Sequence, residues 1–237
     1  MHRWFAFLLP LLALAAAPAA AEEVTVTTTV YQTAEGTVTE TVETTTWFSE
    51  GGSERFVAVQ PAAVPQGIAR FGPFRVLDPG RAALVDVTDA DSPRQFEALL
   101  KAFPGIALIE MIECPGTEDD RANLRLGRMI RARGLATHVP AGGSVRSGGV
   151  ELFLAGTTRI ADPGAEFAVH SWADDAGRQA GDYAADAPEN LKYLDYYREM
   201  GMAESNAADF YAMTNSVPFE QAKWFGAEEM RRWVQLD

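Results

Sequence analysis

The chain has 237 residues, with 20 Lys and Arg against 33 Asp and Glu, a formal net charge of −13 and a single cysteine. That length is ample for a hydrophobic core in one main domain. The carboxylate excess repels phosphate backbones and argues against nucleic acid as a partner, and a lone Cys114 excludes an intramolecular disulfide.

Residues 1–21, MHRWFAFLLPLLALAAAPAAA, combine a basic start at Arg3, an apolar run from Trp4 to Ala17 broken by Pro10, and a small-residue ending before Glu22. The layout predicts a secretory signal peptide, since a membrane span needs about 20 apolar residues. Cleavage would take 21 residues from the 237 and leave 216, with a net charge of −14 once Arg3 is gone. A periplasmic or secreted location is therefore expected. Residues 24–48 alternate Val and Thr around the turn signal TAEGT, which predicts a β-hairpin. SEGGS and QPAAVPQG then read as a break and a linker. The expected organisation is a signal peptide (1–21), a Thr-rich hairpin arm with linker (22–71) and an α/β domain (72–237).

From residue 72 strand and helix signals alternate. AALVDV (82–87) is a strand; SPRQFEALLKAF opens as a helix with Ser92 as N-cap, Pro93 at the first helical position and Gln95 closing a capping box. GIALIEMI (105–112) is apolar on both parities, as in a strand buried on both faces of a parallel sheet. EDDRANLRLGRMIRARG carries acids in its first turn, arginines in its last and Gly134 as a stop, the charge order a helix dipole favours. LATHV is a strand, SGGVELFLAG a buried helix opening at Ser147, and EFAVH a strand ending at His170. The polar loop SWADDAGRQAGDYAADAP is of the kind that lids a site. A helix is expected from Pro188 with Leu191, Leu194, Tyr197 and Met200 or Met202 near one face, then two short helices over 218–225 and 227–234. This repeated βα progression predicts an α/β fold with a parallel sheet.

A serine attacks a carbonyl only when a base takes its proton and donors hold the resulting oxyanion. Ser147 sits where a helix start would offer unpaired amides, that of Gly148 among them, and glycines would let a substrate approach. Gly116, in the turn after strand 105–112, is a candidate second donor, because open α/β sheets place sites at the carboxyl ends of parallel strands. His170 is the candidate base. The same residues also fit a helix cap and a structural histidine, and both readings stay open at this point. The flanks do not read Gly-x-Ser-x-Gly, since Val145 stands at the first glycine position. His138, His170 and Cys114 match no ligand spacing, so neither metal nor cofactor is expected.

The stretch from about residue 82 to the end resembles the ClpP/crotonase superfamily, in particular its exported ClpP-like members. The resemblance runs through ALIEMIECPG, LRLGRMIRARGLATHVPAGG, SVRSGGVELFLAGTTRIADPGA and FAVHSW. It implies repeated β-α units, Ser147 as nucleophile, His170 as base, and the Gly116 and Gly148 amides as oxyanion hole. The family's third member is an acid in a segment similar to VPFEQAKWFGAEEM; its position falls at Gln221 or Ala222, and Glu220 is the nearest carboxylate. Thr117 replaces the second glycine of the turn, and Arg146 precedes the serine. The implied function is an exported serine hydrolase, peptidase-like, acting on peptides or small acyl compounds through an acyl-enzyme. It is compatible with a homo-oligomer, and export separates it from any ATP-driven unfoldase. A degenerate, non-catalytic binding or envelope-associated module is the alternative. A crotonase-type acyl-CoA enzyme is a third reading, which the signal peptide disfavours.

Overall fold

The computed structural model describes residues 22–33, 36–47 and 60–237, so the expected signal peptide lies outside the described residues. The chain divides into two compact units, Met1–Glu50 and Gly51–Asp237. In the first, β1 (Glu22–Thr33) and β2 (Gly36–Trp47) pair antiparallel from Glu22↔Trp47 to Thr33↔Gly36. Their Val and Thr residues are branched at Cβ, which favours extended backbone.

The second unit begins its regular structure with a meander, β3 (Ala69–Phe71), β4 (Phe74–Asp78) and β5 (Arg81–Leu84). Then come α1 (Ser92–Ala102), β6 (Leu108–Met111), β7 (Glu113–Cys114), α2 (Asp120–Ala132), β8 (Ala136–Val139), β9 (Ser144–Arg146), α3 (Gly148–Leu154), β10 (Arg159–Ala161) and β11 (Glu166–Val169). The chain closes with α4 (Pro188–Glu199), α5 (Glu204–Thr214), β12 (Lys223–Gly226) and α6 (Ala227–Met230). One sheet has the order β10-β8-β6-β5-β4-β3, parallel from β10 to β5; the other has the order β12-β11-β9-β7, with β11, β9 and β7 parallel and β12 antiparallel to β11. This is a mixed α/β architecture dominated by parallel pairing, as the alternating pattern required. Among the described residues no helix is long and apolar enough to cross a membrane.

The two sheets are joined at Ile112, the one residue between β6 and β7. Between the layers lies a core of aromatic and aliphatic side chains. Phe153 of α3 packs 4.9 Å from Phe167 of β11, which stacks 5.7 Å from Phe225 of β12. Every residue of α3 is buried. This explains a helix of seven residues, too short to persist alone: tertiary packing holds it. Apolar spacing does the same for α1, which buries Phe96, Leu99 and Leu100 at the i, i+3, i+4 positions of one face.

Four expectations are corrected. The boundary at residue 72 falls inside the β3–β4 hairpin, because Ala69–Phe71 already pairs with β4, and upstream the Ala62 amide donates to the Gly142 carbonyl. Ser92 is the first residue of α1, and Asp91 is its N-cap, with no side-chain capping bond. The Ser92 hydroxyl instead donates to Asp89 Oδ1 at 2.8 Å and accepts from the Asp89 amide, so a preceding Asx turn outcompetes the capping box. On α4 the buried face is Asn190, Tyr193, Tyr196 and Tyr197, with Leu191 and Leu194 partly exposed, because the tyrosine hydroxyls find buried partners. Finally, 218–225 is not a helix: Lys223–Gly226 adds β12 to the edge of β11, where Trp224 and Phe225 fit a pleated surface.

Candidate functional site

Three adjacent parallel strands deliver the site. Register pairs Cys114 with Val145 across β7 and β9, and Arg146 with Ala168 across β9 and β11. Just beyond those pairs, at the carboxyl ends, stand Gly116, Ser147 and His170. Below Ser147, the buried guanidinium of Arg146 hydrogen-bonds Glu113 on β7 and the Ser144 hydroxyl, tying the strand before the serine to the strand before the glycine turn.

Ser147 links β9 to α3 with φ 47° and ψ −128°, and it is the only non-glycine with positive φ among the described residues. That conformation is strained for an L side chain and persists only where the surroundings impose it. Here the Ser147 amide is fixed to the Ala168 carbonyl at 2.8 Å, and its own carbonyl accepts from Val150. The hydroxyl makes no capping bond to α3. Ser147 therefore sits on a strained strand-to-helix turn although its flanks do not read Gly-x-Ser-x-Gly. The glycine two residues after the serine is closely packed: a Cβ on Gly149 would lie 3.1 Å from Cys114 Cβ and 3.2 Å from its carbonyl oxygen.

Gly116 has φ 138°, and a Cβ there would come within 3.1 Å of Ser147 Cβ, so the turn passes directly against the serine. Its carbonyl accepts from the Thr88 amide at 3.1 Å. In a trans peptide the Thr117 N–H then points away from Thr88, which makes Thr117 an oxyanion-donor candidate the sequence did not suggest. Gly148, first residue of α3, offers an amide with no intrahelical partner. Asn123, 2% exposed, holds these parts together: it accepts from the Thr88 hydroxyl at 2.9 Å and donates to the Gly148 carbonyl at 2.7 Å.

Ser147, Gly148 and His170 line one cavity of about 700 Å³. No hydrogen bond joins the serine hydroxyl to the imidazole. His170 Nδ1 lies 2.8 Å from the Ser171 carbonyl oxygen, and Phe219 packs edge-on 5.0 Å from the ring. A proton on Nδ1 donated to that carbonyl leaves the lone pair on Nε2. Glu220 is exposed and does not line the cavity; the ring's partner is a backbone carbonyl where an acid was expected.

Glu151, one helical turn after Ser147, also lines the cavity. It is 8% exposed, and burial pushes its carboxyl up to about 7, against the opposing effect of a 2.8 Å hydrogen bond from the Tyr197 hydroxyl. The signal for it was present: it is the one charged residue in an otherwise apolar helix. Lys192 reaches the cavity from α4, its ammonium 3.9 Å from Asp120 and 4.8 Å from the Tyr193 ring centroid. Among the described residues no group of three or more His, Cys, Asp or Glu could hold a metal ion.

No family model matches the chain, and no curated protein is similar to it at a significant level. Among solved structures it is similar to a variant of the 1510-N membrane-bound stomatin-specific protease in complex with a substrate peptide. That match has 16% identity, 62% of this chain, 70% of that one and a TM-score of 0.40. It is also similar to human enoyl Coenzyme A hydratase domain-containing protein 3, at 10% identity over 71% of this chain and 70% of that one, with a TM-score of 0.43.

Proposed function

We propose that the protein is a serine hydrolase of the ClpP/crotonase type that cleaves peptides or small acyl compounds through an acyl-enzyme. The observation that carries this is the state of Ser147: a strained backbone holds its hydroxyl at the mouth of a cavity, free of the capping bond a structural serine would make. In this reading His170 Nε2 takes the proton from Ser147 Oγ as Oγ attacks the substrate carbonyl carbon. The oxygen of that carbonyl becomes an oxyanion, held by the amides of Gly148 and of the Gly116-Thr117 turn. Collapse breaks the bond to the leaving group, which departs with the proton from His170; water repeats the sequence to free the serine. Serine–histidine contacts are often loose before substrate binds and tighten in the complex. The Lys192 ammonium rests on Asp120 and the Tyr193 ring, so His170 is the residue assigned the proton. The signal-peptide pattern of residues 1–21 supports a location outside the cytoplasm; a recovered chain whose mass begins at Glu22 would bear this reading out, whereas one retaining Met1 removes it.

The exposed Glu220 and the substituted turn at Thr117 favour the second reading, a non-catalytic binding module. Hydrolysis of p-nitrophenyl butyrate and of an unfolded protein by the purified chain separates the two. The hydrolase reading expects turnover that Ser147→Ala abolishes; no turnover, or turnover that survives Ser147→Ala, returns the protein to the binding reading.

A further inference from the structure

The cavity above Ser147 is walled by carboxylates and rings. Glu118, Asp175 and Glu189 line it, and none has an ion-pair partner among the described residues. Asp119 joins them with only the Ala122 amide on its side chain, at 2.9 Å. The cations that reach the cavity are Arg121 and Lys192. Carboxylates therefore outnumber cations around the mouth, in a concave site where low-dielectric walls focus the field.

Lys192 shows what these walls do with a cation. Its ammonium rests 4.8 Å from the centroid of Tyr193 and 5.3 Å from that of Trp172, with Asp120 Oδ2 at 3.9 Å. Ring faces and a carboxylate together hold one side-chain ammonium inside the cavity. The same chemistry is left over nearby: Phe219 lines the wall beside His170, and the carboxylates of Glu118, Asp175 and Glu189 have no ion-pair partner among the described residues. Lysine and arginine carry an apolar stem and a charged head, matching a ring wall below an acidic rim.

We propose that this cavity selects polypeptide segments bearing Lys or Arg side chains, with the stem against Phe219 and the charged head among Glu118, Asp175 and Glu189. The selectivity rests on the hydrolase reading for the fate of the bound chain, while binding itself does not need the chemistry. Equilibrium binding to the Ser147→Ala protein therefore tests it. Fluorescence anisotropy would compare three labelled peptides of one sequence, with lysine, acetyl-lysine or glutamate at the same positions. The lysine peptide is expected to bind at least about tenfold tighter than its acetyl-lysine twin at low salt, the gap narrowing at about 0.5 M NaCl. Glu118→Gln, Asp175→Asn and Glu189→Gln together should close most of that gap. Glu97→Gln, Asp195→Asn and Glu228→Gln remove the same charge from exposed pairs with Arg125, Arg198 and Arg231, and should leave it. Equal binding of lysine and acetyl-lysine peptides, or equal losses in the two triple variants, overturns the proposal. Preferential lysine binding by a protein that turns nothing over would sustain it and sink the hydrolase reading; unselective cleavage would do the reverse.

Discussion

Two serines stand at the entrances of two helices in this protein, and they are used in opposite ways. Ser92, at the start of α1, is fully buried and trades hydrogen bonds with Asp89, so its hydroxyl belongs to the fold. Ser147, before α3, is half-buried, bent into a positive φ and makes no side-chain hydrogen bond among the described residues. Ser92 is the first residue of α1, ahead of Pro93, and Ser147 is the N-cap of α3, ahead of Gly148 and Gly149. What separates them is whether the hydroxyl satisfies the backbone or is withheld from it, and the strain at Ser147 is the observation on which the proposed role rests.

The comparison is broken most severely through the histidine. His170→Ala should lower kcat/KM for ester hydrolysis by a factor on the order of thousands, as expected when serine and base act as one unit. A loss below about tenfold would mean that another group takes the proton. Next in size is a pH effect at Glu151. Its folded carboxyl is raised from 4.5 to about 7, so the protonated form is favoured on folding. The cost of ionising it in place begins as pH passes 4.5 and is complete above about 7. Glu151→Gln should therefore stabilise the protein by on the order of 3 kcal/mol at pH 8 and by little at pH 4, as read from urea unfolding at both values.

Smaller effects sharpen the contrast between the two serines. Ser92→Ala removes one donor from the Asp89 carboxylate, which keeps the Asp91 amide, and the acceptor of the Asp89 amide, and should cost about 1–2 kcal/mol in the same unfolding experiment. At position 147 the order of variants is diagnostic: Ser147→Gly should be more stable than Ser147→Ala by about 1 kcal/mol, because glycine adopts positive φ without strain. The reverse order would place Ser147 in ordinary helical geometry. Glu220→Gln should change ester turnover by less than about twofold, since a rim charge outside the cavity acts only through a screened field. A large loss there would show that the acid swings in when substrate binds.

Much of this was legible in the sequence where the signal was periodic or chemical. The βα alternation, the dipole-ordered charges of α2 and the strand ending at His170 follow from apolar spacing and charge order along the chain. Positions that depend on contacts across the fold were not legible. Whether Ser92 caps its helix depends on Asp89, and the strand at 223–226 exists because β11 presents an open edge to it. The Thr117 amide becomes a donor candidate only once the Gly116 carbonyl is seen to face Thr88. The strain at Ser147 comes from a backbone fixed to Ala168 in a neighbouring strand, which nothing local announces.

The most direct test of the central claim is the site of reaction with a small fluorophosphonate, read by intact mass and peptide mapping of the folded protein. The account predicts one adduct, on Ser147, absent from Ser147→Ala and strongly slowed in His170→Ala. No adduct from several such probes between about pH 6 and 9, or an adduct on any other residue, would contradict it.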